Sequence, residues 1–381
     1  MNIEFTNNKR AKGLTVETGF VVCGDLHYYN AYQFNHGYDG VFSYRLLTLH
    51  KQLRKACVMA RNLRLPIILN GDIITTGIFD YPVEKLLSEL LIEFRDIKIY
   101  INLGNHDLDG DNSVIQPLID LSQSHNHYVF SKPTTIDFNS NYRMVFIPYM
   151  SDELTNEYLN GLEEDNIKTI VFIHNSFMGS MWANKIKSKS GISQTIFTKG
   201  KLKWVDMVVA SHIHKYQILC DGKGFYTSSL MPVDFGERYR EHGYHIVDIA
   251  ENKRYFVISN APKFVYVEAD DIDEGIKKKV NGNIIKILYD KNKTINKERL
   301  KEKVSGYGAI FVSFKARQSE NSMLQKKEPT KRALSGANAI ISEFTSILAE
   351  KYGLEEDRLE SLGLKILERS IKKKGIETQR R

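Results

Sequence analysis

The run Phe20-Val21-Val22-Cys23-Gly24-Asp25-Leu26-His27 places an apolar stretch directly before an aspartate and a histidine. An apolar run of this length that stops at a glycine is typical of a buried β-strand. The ends of strands in a parallel or mixed α/β sheet converge on one edge, so residues that follow such runs are expected to meet there. The same order recurs later: Ile67–Leu69 precedes Asn70-Gly71-Asp72, Ile97–Leu103 precedes Gly104-Asn105-His106-Asp107, Thr169–Ile173 precedes His174-Asn175, and Met207–Ala210 precedes Ser211-His212-Ile213-His214.

Many of the residues that follow these predicted strands have side chains that bind metal ions. Carboxylate, amide and imidazole groups of this kind suit Mn²⁺, Fe²⁺, Zn²⁺ or Mg²⁺. Seven of them are too many for one ion with open positions, but they suit two ions about 3.5–4 Å apart that share a carboxylate. The i, i+2 spacing within Asp25/His27 and His212/His214 predicts that each pair points to one side of an extended backbone. The predicted ligands are Asp25, His27, Asp72, Asn105, His174, His212 and His214.

The segments between the predicted strands favour helices. Apolar residues recur at helical spacing within Tyr44–Leu63, and a second helix is predicted over Val83–Phe94. The run Met144–Ile147 predicts a further strand. This alternation predicts a layered α/β domain, which we expect to occupy residues 1–262.

The rest of the chain predicts smaller units. Residues 263–317 alternate short apolar runs with one helical stretch, which suits a small α+β domain. Residues 318–334 are polar and read as a linker, and residues 335–381 predict two amphipathic helices followed by a basic tail. Such a helix pair cannot bury two apolar stripes by itself, so it would dock either on a partner or back on its own chain.

Charge and composition indicate which binding partners and which cellular compartment the chain suits. The net charge is +7, and the chain from Asp271 to Arg381 holds 25 basic against 16 acidic residues, so this third carries the whole excess. Such a surface would attract a polyanion without sequence preference, although taken alone a solvated helical face is the simpler explanation. The polar start, the lack of an apolar run long enough for a membrane helix and three scattered cysteines indicate a cytoplasmic protein, neither secreted nor bound to a membrane.

Taken together, the five motifs resemble the signature of the calcineurin-like metallophosphoesterase superfamily, D-x-H, G-D, G-N-H-D/E, H and G-H-x-H, over about residues 18–240. Ser211 stands in place of the usual last glycine. The resemblance implies an αββα sandwich. It also implies that His106 protonates the leaving oxygen or steadies the phosphoryl charge, and that Asp107 orients the ring of His106. It implies one ion held by Asp25, His27, Asp72 and His214, and another held by Asp72, Asn105, His174 and His212.

Within that superfamily the chain looks like the Mre11/SbcD nuclease branch, and its compact size is similar to phage versions. This resemblance rests on three segments. They are His212–Gln217, Tyr226–Glu237, in which Ser228 stands at a usual glycine, and the unit after residue 262, which is similar to a capping domain. The resemblance implies a DNA exo- or endonuclease for repair and recombination, with Mn²⁺ as the expected metal. It also implies a homodimer whose C-terminal helices grip a Rad50/SbcC-like ATPase. Thr75 stands where this branch often has a histidine, which puts the strength of the exonuclease activity in doubt.

Two other functions fit parts of this pattern. One is a phosphatase that acts on a small nucleotide or a phosphoprotein, and the other is a scaffold that kept the fold and lost its metals. The close pair His125 and His127 predicts a surface loop, because no strand precedes it. The aromatic segment Tyr28–Tyr44 either stacks on bases or packs on the adjacent helix.

Overall fold

The described part of the chain comprises residues 2–6, 18–30, 41–75, 80–109, 112–122, 124–183, 186–238 and 240–317 of a computed structural model. The chain divides into two compact units, Met1–Ala316 and Arg317–Arg381. The predicted linker 318–334 and the predicted helices and tail of 335–381 lie outside the described residues. The predicted domain boundary between residues 262 and 263 falls inside the first unit and stays a prediction.

The secondary structure of the described residues alternates strands and helices along most of the chain. In chain order the α-helices are α1 (Tyr44–Leu63), α2 (Tyr81–Glu93), α3 (Gln116–Ser122), α4 (Asp152–Gly161), α5 (Thr195–Thr198), α6 (Lys277–Val280) and α7 (Lys297–Gly306). The strands are β1 (Asn2–Thr6), β2 (Gly19–Cys23), β3 (Ile67–Asn70), β4 (Ile99–Asn102), β5 (Leu108–Asp109), β6 (Asn112–Ser113), β7 (His127–Phe130), β8 (Thr134–Asn139), β9 (Tyr142–Ile147), β10 (Lys168–His174), β11 (Met181–Ala183), β12 (Ile186–Lys187), β13 (Met207–Ser211), β14 (Gln217–Leu219), β15 (Gly224–Tyr226), β16 (Gly243–Asp248), β17 (Lys253–Ile258), β18 (Phe264–Glu268), β19 (Ile284–Asp290) and β20 (Phe311–Arg317).

Two mixed sheets form the body of the first unit. One has the order β1-β17-β16-β2-β3-β4-β7, and the other has the order β14-β15-β13-β10-β9-β8. β2, β3 and β4 run parallel to one another, as do β9, β10 and β13. Parallel strands present their carboxyl ends at the same edge, so the loops that follow these strands are gathered together.

The central strands β2, β3, β4 and β13 are buried along their whole length because both of their faces are covered. In β2, Phe20 and Val22 face the layer between the sheets, whereas Val21 and Cys23 face the helices. This alternation follows the two-residue period of a strand, and a strand buried on both faces reads as a continuous apolar run. Phe172 of β10 continues the layer between the sheets and meets Phe20 edge-on, with ring centroids 5.0 Å apart.

Helices close the outer faces of the two sheets. α1, α2 and α3 bury their apolar sides against β2, β3 and β4, and α4 and α5 cover β9, β10 and β13 on the other side. α1 begins where the Ser43 hydroxyl accepts a hydrogen bond from the Leu46 amide, and it ends at Arg64 in the left-handed region. The layers run helix, sheet, sheet, helix, which confirms the predicted αββα sandwich.

Two features of the sandwich differ from the sequence prediction. β16 and β17 were not predicted, although β16 pairs with β2 in the middle of the first sheet. His127 was expected in a surface loop but begins β7, where its buried ring lies 3.3 Å from the carbonyl oxygen of Phe94. The polar residues before His127 hid this strand, which is short and lies at the sheet edge.

The last described segment forms a small sheet of its own, ordered β18-β19-β20. β18 and β19 are parallel, and α7 packs Val304 into a core shared with Val267, Ile285 and Ile287. α7 begins at Asn296, whose side chain accepts a hydrogen bond from the Arg299 amide. None of the helices in the described ranges combines the length and apolar composition that crossing a bilayer requires.

Candidate metal centre

The loops after β2, β3, β4, β10 and β13 meet at one edge of the sandwich and bring predicted ligands together. Three overlapping groups have ligand atoms close enough to share a cation, and Asp72 belongs to two of them. Asn105 lies on a short 3-10 helix, Asn105–Asp107, directly before His106. The groups are Asp25, His27 and His214; His27, Asp72 and His106; and Asp72, His174 and His212.

The backbone at these positions is not extended, contrary to the prediction from the i, i+2 spacing. Asp25, His27, Asp72 and His212 have φ angles of 50°, 52°, 50° and 91°. The left-handed region costs a non-glycine residue about 1–3 kcal/mol, so neighbouring contacts must hold it. The Asp25 amide donates to the Gly71 carbonyl at 3.1 Å, and the His27 amide donates to the Asp72 carbonyl at 2.9 Å. The two loops therefore fix each other.

Ser228 has the same kind of backbone, with φ of 70°. Glycine adopts positive φ without steric cost, whereas a serine in this conformation must be held by its contacts. The Ser228 hydroxyl lies 3.1 Å from the carbonyl oxygens of His214 and of Glu241. These contacts tie the strained residue to the chain next to a predicted ligand.

The first group is centred on the close approach of two imidazoles. Nε2 of His27 lies 3.0 Å from Nε2 of His214, and both rings are largely buried. Nδ1 of His214 lies 2.6 Å from Oε1 of Glu237, a residue to which the sequence analysis assigned no role. Because the Glu237 carboxylate only accepts, Nδ1 carries the proton and Nε2 presents its lone pair to the site.

The other two groups share the Asp72 carboxylate. Oδ2 of Asp72 lies 3.3 Å from Nε2 of His174 and 3.7 Å from Nε2 of His27, between the two groups. Nδ1 of His174 lies 3.1 Å from the carbonyl oxygen of Asn70, so this nitrogen is the donor. Nε2 of His174 is thereby directed at Asp72. This geometry suits a carboxylate shared by two cations.

Burial and proximity set the protonation of these groups. Burial, with neighbouring His214, lowers the pKa of His27 to about 3, and burial with His174 lowers the pKa of His212 to about 3. Burial also opposes charge on His174, but Asp72 outweighs it and raises the pKa of His174 to about 9. His27 and His212 are therefore neutral near pH 7 and present lone pairs. A divalent cation bound by Asp72 and His174 would displace the proton of His174.

Besides Nε2 of His174, which faces Oδ2 of Asp72 at 3.3 Å, three predicted ligands carry buried polar atoms that make no hydrogen bond within the described ranges. These atoms are Oδ2 of Asp25, Oδ1 of Asn105 and Nδ1 of His212. Buried polar atoms in folded proteins nearly always have a partner, so a cluster of orphaned acceptors needs an explanation. All three are ligand atoms of the type that divalent transition metals accept. The residues present therefore fit metal ions.

His106 and Asp107 were predicted to contact each other through their side chains, but the two side chains have different surroundings. The His106 amide donates to Oδ1 of Asp72 at 3.0 Å, and its ring lies edge-on to His27 with centroids 5.2 Å apart. The prediction that Asp107 orients the ring of His106 was wrong. Both Asp107 oxygens accept from backbone amides instead, those of Ile73 at 2.7 Å, Ile74 at 3.0 Å and Gly104 at 2.8 Å. Asp107 therefore joins the loops after β3 and β4.

Exposed aromatic rings lie beside the centre, and sequence reasoning had not singled them out. Trp182 is 40% exposed and meets His212 edge-on at 5.1 Å between centroids, while Tyr149 is 38% exposed and lies 5.8 Å from the same ring. The carbonyl of Trp182 accepts from Nη2 of Arg240 at 2.7 Å, which holds this segment in place. No spacing in the sequence signals these contacts, because they join distant segments.

Comparisons with known proteins agree with this geometry. No curated protein matches the chain. Among solved structures, a dimetal phosphatase from Danio rerio is similar at 11% identity, covers 61% of this chain and 93% of its own, and has a TM-score of 0.38. That likeness carries no argument about function. Residues 19–216, more than half of the chain and the span of all five motifs, match the calcineurin-like phosphoesterase family. The chain therefore belongs to the calcineurin-like phosphoesterases.

Proposed function

We propose that this phosphoesterase is a DNA nuclease that hydrolyses phosphodiester bonds with two divalent metal ions, Mn²⁺ first among the candidates. Asp72 is the shared ligand in this proposal, because its Oδ2 lies between His27 and His174. The proposed first site consists of Asp25, His27, Asp72 and His214, and the second consists of Asp72, Asn105, His174 and His212.

When bound, the two ions would supply Lewis acidity to the phosphoryl group and lower the pKa of the attacking water. The protein's own residues direct this chemistry. Glu237 and the Asn70 carbonyl fix the tautomers of His214 and His174, so that one nitrogen of each ring faces the site. His106, partly exposed and anchored through its amide to Asp72, is the proposed proton donor to the leaving oxygen.

The observation that carries DNA as substrate is the pair of exposed rings beside His212. A nucleobase next to the scissile phosphate could stack on Trp182 or Tyr149, and such stacking is sequence-tolerant because every base has a π-face. A phosphatase that removes a terminal phosphate from a protein has no need for such rings. A phosphatase acting on a free nucleotide would use them too, so the experiment must compare polymer with monomer.

The proposal extends to partners, on the strength of the sequence resemblance. We propose that the chain acts in the cytoplasm in repair and recombination, as a homodimer with a Rad50/SbcC-like ATPase bound to residues 335–381. Thr75, at the position where a histidine is frequent, is partly exposed beside the site and cannot act as an acid or base. We therefore expect exonuclease activity that rises when the ATPase is added.

The test is Mn²⁺-dependent degradation of linear double-stranded DNA by the wild type, His106→Ala and Asp72→Ala. Exposed His125 provides the matched control, since His125→Ala makes the same change away from the site. We expect wild type and control to degrade DNA alike, Asp72→Ala to be inactive, and His106→Ala to be slower by about 10²–10⁴-fold. Hydrolysis of p-nitrophenyl phosphate or free nucleotides without degradation of DNA would refute the nuclease and favour the phosphatase. Inactivity on every phosphate ester would favour the scaffold.

A further inference from the structure

A basic groove lies away from the metal centre, where α1 faces the connection between the sandwich and the small sheet. It encloses about 770 Å³. One wall is a single stripe of α1, and the other is the segment from the end of β17 to the start of β18, with the turn before β19. The lining residues are Tyr44, Leu47, Thr48, Lys51, Gln52, Lys55, Ile258, Ser259, Asn260, Ala261, Pro262, Lys263, Gly282 and Asn283.

The charge of this lining is of one sign. It includes Lys51, Lys55 and Lys263, and it contains no aspartate or glutamate. Within the described part of the chain, Lys51 and Lys55 take part in no ion pair, whereas Lys263 lies 3.5 Å from Oε1 of Glu241 outside the groove. Nζ of Lys55 contacts only a neutral acceptor, Oε1 of Gln52, at 3.5 Å. Two ammonium groups without a counter-charge create a positive potential that an anion would relieve.

The arrangement of the lysines favours an extended anion over a compact one. Lys51 and Lys55 are four residues apart on α1, so their stems lie side by side about 5–6 Å apart, one helical turn along the wall. Burial and the proximity of Lys51 lower the pKa of Lys55, as expected for like charges held together. The amide side chain of Asn260 stands across from them and can donate to a phosphate oxygen, whereas the Asn283 amide already donates to the carbonyl oxygens of Lys279 and Asn281.

We propose that this groove binds the phosphodiester backbone of the DNA substrate, with Lys51 and Lys55 on successive phosphates. The inference rests on the proposed nuclease function, which it deepens by adding a contact for the strand beyond the scissile bond. Such contacts carry affinity and position the strand but read no sequence. The same phosphate chemistry could come from a free nucleotide, so the test must separate the two sources.

The experiment measures binding apart from hydrolysis. Fluorescence anisotropy of a labelled DNA duplex is recorded with full-length protein in EDTA, over a series of salt concentrations. The variant Lys51→Gln/Lys55→Gln removes two charges and keeps the length of the side chains. Its control is Lys132→Gln/Lys168→Gln, which removes two exposed lysines outside the groove lining, one in the turn between β7 and β8 and one at the start of β10. We expect the groove variant to bind about five- to tenfold more weakly at low salt, and its salt slope to fall by about 1.8, since each phosphate contact contributes about 0.9.

Each outcome either supports or overturns the proposal that the groove binds DNA. Equal affinity and equal salt slope for the groove variant and the control would overturn the proposal. Loss of calorimetric ADP binding in the groove variant, with DNA anisotropy unchanged, would also overturn it and assign the groove to a free nucleotide. If the wild type binds DNA through the groove but never hydrolyses it with Mn²⁺, the groove stands and the nuclease proposal fails. Matching melting temperatures establish that both variants are folded.

Discussion

Glu237→Gln tests whether the orientation of a metal ligand sets the affinity of the centre. Glu237 is 7% exposed, and its Oε1 lies 2.6 Å from Nδ1 of His214. Oε2 accepts from the Val233 amide at 2.9 Å, so the carboxylate is fixed at both ends. A buried hydrogen bond to a charged group contributes about 1.5–3 kcal/mol and a neutral one about 0.5–1.5 kcal/mol. Glutamine keeps the shape but loses the charge, a difference of about 1–2 kcal/mol.

That difference corresponds to about a five- to thirtyfold loss of metal affinity, within the range typical of groups that support a ligand. We expect the Mn²⁺ concentration for half-maximal hydrolysis of bis-p-nitrophenyl phosphate to rise by about tenfold, with most of the rate regained at saturating Mn²⁺. Although burial opposes ionisation of Glu237, its hydrogen bond to His214 lowers its pKa to about 2. The carboxylate is therefore ionised across pH 6–8, and the effect should not change in that range.

The matched control is Asp234→Asn, in the same loop. Asp234 is exposed and its Oδ1 accepts from the Gly236 amide at 2.6 Å, without contact to a predicted ligand. Calorimetric titration of Mn²⁺ into both variants gives the affinities directly, and thermal melting of the metal-free proteins establishes that they are folded. If both variants have the same Mn²⁺ midpoint, Glu237 does not act through His214, and the argument from tautomer and charge is refuted.

Three further predictions concern stability and reactivity. Asp107→Asn should lower the free energy of unfolding by about 3 kcal/mol or more in urea denaturation, because the amide oxygen replaces only one of the two carboxylate oxygens and the new NH₂ faces the backbone donors that the other oxygen served. Phe172→Ala should cost about 3–5 kcal/mol in the same assay, since its buried ring packs between the sheets; unchanged stability would contradict that packing. Burial raises the pKa of Cys220 to about 12, and it also raises the pKa of Cys23 and of Cys57. Ellman's reagent at pH 8 should thus find no reactive thiol in the native protein and three after denaturation.

The strands that carry the site could be predicted from sequence because each is buried on both faces. Such a strand is a continuous apolar run, and the polar residue that ends it is conspicuous, as at Ile67–Asn70. α1 was predicted with its observed bounds, since its buried residues keep a helical period and Arg64 ends it. Strand pairing between distant segments has no such local signal. β16 lies beside β2 only because the chain returns from the second sheet, so its place in the order could not be predicted.

Side-chain roles at the site were harder to predict than its position. Asp107 follows His106 directly, and the family resemblance implied that it orients the His106 ring. On a 3-10 turn, however, consecutive side chains point in different directions, and the Asp107 carboxylate turns inward to the amides of Ile73 and Ile74. The left-handed backbone at Asp25 and His27 depends on hydrogen bonds to the loop after β3, which no pattern within either loop reveals.

One loop, which contains Phe235 and Glu237, contacts both the small sheet and the metal centre. Phe235 packs on Phe264 and Tyr266 with ring centroids 4.6 Å and 5.2 Å apart, and Nζ of Lys286 lies 3.9 Å above the same ring. Two residues later, Glu237 supports a predicted ligand. A side chain held at hydrogen-bond distance by packing loses orientation when that packing shifts by about 1 Å. The position of the small sheet therefore affects the orientation of Glu237. Through Glu237, this sheet also affects the predicted ligand His214 in the metal centre.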